Sequence, residues 1–310
     1  MGNGVLLPAL ILIAAAGVSP AQQVPDPNYN PTISRPAYEL GTGPRVAIDE
    51  AHHNFHTAGG RYQPFAELLR RDGYRVGGLG KPLSGESLKA LEVLVIANPL
   101  HERNTENWSL PTPSAFTRDE IAALQAWVEK GGALFLIADH MPFPGAAGEL
   151  AKAFGVGFSN GYARSGREQT GPADVFELGS GLRESGITHG RVGDAQVTKV
   201  ATFTGSAFKP PDRAIQVLVF GPESVSHETA KAPGITPDAP KVRIEGWCQG
   251  AVFKVSRGRI AVFGEAAMFS AQLAGPARFP MGMNAPEAKQ NHQLLLNVMH
   301  WLTRAEGMPD

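Results

Sequence analysis

Cysteine is almost absent from this chain of 310 residues: Cys248 stands alone. No internal disulfide can form and no cysteine-based zinc site can be built, so a hydrophobic core has to supply the stability. Charge of one sign is missing as well. Lys and Arg number 28 against 29 Asp and Glu, with a formal net charge of -1 and no long run of like charge. That balance excludes the electrostatic footprint of a nucleic-acid binder and leaves a small molecule, a glycan or a protein as partner. There is no helical H-E-x-x-H pair and no internal repeat.

The N-terminus lacks two further things. Its apolar segment, from Val5 to about Val18, is too short for a comfortable membrane span, and no Lys or Arg precedes it. No cysteine follows it, which removes a lipoprotein anchor. With the small residues Ser19-Pro20-Ala21 behind it, the segment over 1–21 reads as a secretory signal peptide. The expected location is periplasmic or secreted, with membrane contact only through an uncleaved signal.

What is present divides simply. Residues 22–43, rich in Pro and Asn, suit an extended linker, and 44–305 form one α/β domain. "RVAIDE", "YRVGGLG", "VLVIANP" and "ALFLIAD" are near-continuous apolar strands. Between them lie the helical patterns "RYQPFAELLRRDGY" and "TRDEIAALQAWVEKGG". The second helix carries its own boundaries: Thr117 can cap with Glu120 three residues on, and Gly131-Gly132 stop it. A further helix, "GAAGELAKAFG", follows the fourth strand. Such alternation predicts a mostly parallel sheet with helices on both faces. From about 156 to 250 the pattern turns Gly-rich and β-branched, as a β-rich insertion would. "AVFKVS" and "RIAVFGE" then form a hairpin, and "EAKQNHQLLLNVMHWLTRAEG" an amphipathic closing helix.

Ligands of such sheets bind outside the strand C-termini. The first strand ends in Asp49-Glu50 and runs on to His52, His53 and His56; the third ends in Asn98, with His101 behind it. The fourth ends in Asp139-His140 and the last in Glu265. Glu50, His52, Asp139, His140 and Glu265 are therefore the candidate catalytic residues. His52, Asp139 and His140 are the candidate ligands of a divalent Zn, Mn or Fe ion. Acid/base work by one carboxylate and one histidine is the alternative, and the spacing does not choose. Asp139 and Asn98 also suit plain turn or capping roles. In "ADHMPFPGAAGELA" the N–H groups near Gly145 to Ala147 could face an anion at a helix start. "GWCQG" matches a nucleophile elbow in letters, but a hairpin rather than a helix follows it, so Cys248 is expected to pack.

Taken in order, "VAIDEAHHNFH", "VLVIANP", "FTRDEIAALQAWVEKGGALFLIADHMPFPG" and "GRIAVFGEAAMFSAQ" resemble the class I glutamine-amidotransferase-like superfamily. More closely they resemble its secreted or membrane-linked bacterial branches, related to ThuA-like and gliding-motility-type domains. "SGITHGR" is similar to a short segment of ThuA-like domains. The resemblance spans residues 44 to 155 and the region from "GRIAVFGE" to the closing helix. It implies a flavodoxin-like fold with its site at the strand C-termini. Amidotransferases of this superfamily carry a cysteine after the strand that "ALFLIAD" represents. Asp139-His140 stand there instead, so a cysteine-dependent glutaminase is not expected. Two functions fit: an exported, hydrolase-like enzyme acting on a small polar or carbohydrate-derived substrate, or a non-catalytic periplasmic or envelope ligand-binding module of the same fold.

Overall fold

The structure, a computed structural model, describes residues 23–166, 173–194 and 196–310; the signal-peptide expectation for 1–21 lies outside them. Five parallel strands form the part of the sheet that places the site. Their order is Gly258–Phe263, Ala133–Ile137, Val93–Ala97, Arg45–Asp49, Arg75–Leu79. Counted along the chain this is 2-1-3-4-5, in which the winding direction reverses between Arg45–Asp49 and Val93–Ala97. The second half of the chain extends the sheet with antiparallel strands, chiefly Cys248–Val255, Ile215–Val219, Asp174–Leu178 and Lys199–Thr202. The sheet is thus parallel on one side and antiparallel on the other. The predicted hairpin joins the two: Gly258–Phe263 pairs antiparallel with Cys248–Val255 and parallel with Ala133–Ile137.

Because strand side chains alternate in direction, the parallel block feeds two separate apolar clusters. Val46, Ile48, Val93 and Phe135 pack with helix α1 (Gln63–Arg71) and with the closing helix Asn291–Thr303. Ala47, Leu94, Ile96 and Leu136 pack with Leu124 and Val128 of Arg118–Glu129 and with Leu150 of Phe143–Ala153. The Thr117–Glu120 capping box is formed in both directions, as the sequence predicts.

Two segments differ from a simple reading. The closing helix is buried on nearly every side rather than amphipathic, and three of its buried polar residues are bonded. Asn297 donates to the Ile187 carbonyl (2.8 Å), Asn291 to that of Ala201 (2.7 Å), and His300 Nε2 meets Asp72 Oδ2 at 2.6 Å. Gly186–His189, Lys199–Thr202 and the central strands enclose it, and the N-terminal segment lies against this part of the body instead of trailing away. Gln23–Pro25 pairs with Ala271–Ala274, the Ala37 N–H donates to Asp72 (2.8 Å), and the Tyr38 hydroxyl donates to Thr303 (3.1 Å).

Candidate functional site

The strand order reverses between Arg45–Asp49 and Val93–Ala97, the point beside whose C-terminal ends sheets of this kind bind ligands, and two hydrogen-bond networks lie there. The first is closed on itself. Fully buried Asp49 presents both oxygens to His52 Nδ1, at 2.8 and 3.0 Å, and Glu120 Oε1 lies 3.0 Å from His52 Nε2. The ring of Phe116, 4.3 Å away between centroids, closes one side of the imidazole. Burial works to lower the His52 pKa, but the bonds and charges of Asp49 and Glu120 outweigh it and raise the value above the ordinary one. With a carboxylate on each nitrogen the imidazole is an ion-paired brace. It has no lone pair for a metal.

Glu50 also works locally. Its carboxylate accepts the Ala58 N–H (2.8 Å) and lies against Gly78, which holds the loop between them in place. Neither Glu50 nor His52 has Asp139, His140 or Glu265 among its bonded partners.

The second network runs through Asn98. This residue has φ 51°, a left-handed conformation that Asn tolerates better than most residues. The bend brings its amide between two strand ends. Oδ1 accepts the Asp139 N–H (2.8 Å), which turns Nδ2 towards His56 Nδ1 (3.3 Å). His56 must then carry its proton on Nε2, and that N–H is buried without a partner. Burial, helped by the Arg61 charge, pushes the His56 pKa down to about 3, so the ring is neutral. His56, and not His52, is therefore the histidine of the first loop that reaches Asp139.

Asp139 Oδ1 accepts the His140 N–H (2.7 Å), and His140 Nδ1 lies 2.7 Å from the Met141 carbonyl. A carbonyl only accepts, so Nδ1 carries the proton and Nε2 of this half-buried residue offers a lone pair. Glu265, fully buried, accepts the N–H groups of Ala267 (2.9 Å) and Met268 (2.7 Å). Burial and the Asp139 charge push its carboxyl well above the usual range, against the pull of those N–H donors. The structure thus brings Asp139, His140 and Glu265 into one neighbourhood. Among the described residues, no group of three His, Cys, Asp or Glu side chains could hold a metal ion. His52, Asp139 and His140 do not fit a Zn, Mn or Fe site, because His52 is turned away and saturated.

Around His140 lies a feature the sequence did not announce. Phe55, Trp108 and His140, all half-buried, form an aromatic strip: Phe55 to Trp108 is 5.4 Å and Trp108 to His140 6.1 Å between centroids. Buried Phe143 and Tyr162 support it from below, Tyr162 stacked on His140 at 4.2 Å. The Arg61 guanidinium sits 3.7 Å over Phe55. The three strip residues follow the first, third and fourth parallel strands. Aromatic residues set in otherwise polar loops, as in "HNFH" and "ENWS", were the available signal.

Two smaller expectations resolve here. The Gly145 N–H does not face an anion, since Asn160 Oδ1 accepts it at 3.0 Å. Cys248 is buried in a strand, and burial pushes its thiol up to about 12. It should stay inert to a disulfide reagent in the folded protein and react fully in denaturant; fast labelling of the folded chain would refute this packing.

Comparison with known proteins bears on the fold. No family model matches the sequence, and no curated protein does. Among solved structures, the mmIFT52 N-terminal domain is similar at a TM-score of 0.60, with 16% identity, over 83% of this chain and 97% of that one. A ThuA-like protein from Bacteroides uniformis follows at 0.47, with 13% identity and 88% and 94% coverage. A GMP synthase-type protein from Thermoplasma acidophilum stands at 0.41, with 11% identity and 82% and 90% coverage. At these identities the likeness concerns the fold alone.

Proposed function

We propose that the chain is an exported ligand-binding module of the ThuA-like and amidotransferase-like kind, flavodoxin-like with helices on both faces. It takes a small polar or glycan ligand on the Phe55–Trp108–His140 strip and releases it unchanged. The observation that carries this reading is the strip itself. It offers apolar ring area beside two polar groups, the Asp139 carboxylate and His140 Nε2, at the strand C-terminal edge where sheets of this order bind ligands. Such a mixture suits a sugar, whose ring has an apolar face and hydroxyl edges.

The hydrolase-like alternative has less support. It draws on Glu50, His52, Asp139, His140 and Glu265 together, and two of the five are committed elsewhere. Within the remaining group no nucleophile stands beside an activated base.

Titration of the purified chain with a panel of free mono- and disaccharides, followed by tryptophan fluorescence and saturation-transfer NMR, tests the proposal. A saturable signal that both Trp108→Ala and His140→Ala abolish, with the sugar recovered intact, is the expected result. Recovery of a cleaved sugar would favour the hydrolase. A signal untouched by either variant would remove the strip as the site.

A further inference from the structure

The two ends of the large sheet are finished differently. At Lys199–Thr202 the closing helix supplies side chains to the outward backbone groups. Gln290 Oε1 accepts the N–H groups of Thr198 and Lys199, both at 2.9 Å, and Asn291 pairs with the N–H and carbonyl of Ala201 at 3.0 and 2.7 Å. At Arg75–Leu79 no strand follows, and Arg70 meets the outward Val76 carbonyl. The bonds Arg75 N–H to Pro44 (3.1 Å) and Glu50 N–H to Leu79 (2.9 Å) turn residues 75, 77 and 79 inward, so Val76 and Gly78 turn their backbone groups outward. Gly77, Gly78 and Gly80 are exposed. The edge carries no proline and no bulge, and its protection is limited to the charges beside it.

Besides exposed Arg75 at its start, two charges lie over this edge. Arg70 donates to the Val76 carbonyl at 3.1 Å, and the Glu50 carboxylate fills the space that a Cβ on Gly78 would take. Neither has an ion-pair partner among the described residues. A positive and a negative group thus stand two residues apart along an open strand.

We propose that a second copy of this chain pairs antiparallel along Arg75–Leu79, with the two-fold axis at Gly77. In that register Val76 lies opposite Gly78 of the second copy, and each such pair exchanges two backbone hydrogen bonds. Arg70 then faces Glu50 of the second copy, twice by symmetry. The charge pattern favours a second copy over a foreign strand, because a dyad matches plus with minus automatically. A hollow of about 660 Å3 beside the edge, lined by Leu40, Val46, Val76 and Leu91, supplies apolar surface for the same contact. Leu40 is 80% exposed in the single chain.

A cysteine placed on the dyad reads this arrangement directly. A side chain at Gly77 would meet no atom within 4 Å of its Cβ, and the φ there is not left-handed, so Gly77→Cys is accommodated. Opposed residues of a non-hydrogen-bonded antiparallel pair are within disulfide reach. Full-length Gly77→Cys should form a covalent dimer under oxidised glutathione, whereas Gly59→Cys, equally exposed, should not. The wild-type chain should show a dimer mass by light scattering, lost in Arg70→Glu and regained when Glu50→Arg is added. Equal cross-linking of the two cysteine variants would overturn the proposal. So would a monomeric wild type at high micromolar concentration, or a monomer that instead captures an acidic peptide on this edge.

Discussion

Acidification from pH 6.5 to 4.5 costs the wild-type chain roughly 2.5 kcal/mol more unfolding free energy than it costs a His56→Gln variant. In the unfolded chain His56 titrates near 6.5; in the fold burial and Arg61 hold it at about 3. Between those values the unfolded chain carries one more proton than the folded chain. The contribution of His56 is therefore fully present above 6.5 and is lost as pH falls. Glutamine keeps an acceptor for Asn98 Nδ2 and does not titrate. His52 has the opposite sign: its raised pKa gives stability that is complete below 6.5 and fades as pH rises through the raised value. Glu265, also raised, gives stability that is complete below its unfolded value of 4.5 and fades above it. The total acid response mixes these groups, so the difference between wild type and variant is the quantity to measure, by urea unfolding at the two pH values. Equal losses in both chains would refute the buried, neutral His56.

Glu120→Ala costs about 3 to 5 kcal/mol, against about 1 kcal/mol for Thr117→Ala. Both substitutions break the same capping box. Only the first also removes the carboxylate from His52 Nε2 and from the Leu83 N–H, which Glu120 Oε1 accepts at 3.1 Å. One oxygen of Glu120 serves the helix start, accepting from the Thr117 N–H (3.0 Å) and hydroxyl (2.8 Å). The other ties the helix to the loop after the first strand. Denaturant unfolding of the two variants gives the comparison directly, and equal costs would mean that the His52 contact contributes nothing.

That division also measures how far the sequence could be read. Thr117, Glu120 and the glycines after Lys130 specify a helix through contacts three and four residues apart, which a sequence displays. The apolar runs at Val93–Ala97 and Ala133–Ile137 are legible for the same reason, as is the delivery of Asp139, His140 and Glu265 to one rim. The choice between His52 and His56 is not local. It depends on Asn98 bending through a positive φ towards Asp139, and on Arg118–Glu129 approaching the first loop closely enough for Glu120 to take His52. The strip is hidden likewise, because Phe55, Trp108 and His140 meet only once three separate loops are placed. In the antiparallel half, apart from Cys248–Val255, strands of two to five residues with frequent glycine leave too little periodicity to read.

The position of Gly258–Phe263 inside the sheet has a consequence for how the chain is made. Ala133–Ile137 is flanked by Val93–Ala97 on one side and by that late strand on the other. A growing chain therefore exposes the apolar stretch "ALFLI" until residue 258 has been synthesised, a wait on the order of ten seconds at ordinary elongation rates. Throughout that interval one edge of that hydrophobic strand has no partner. The hairpin that closes the sheet pairs this edge, and in a chain stopped short of Gly258 it stays open.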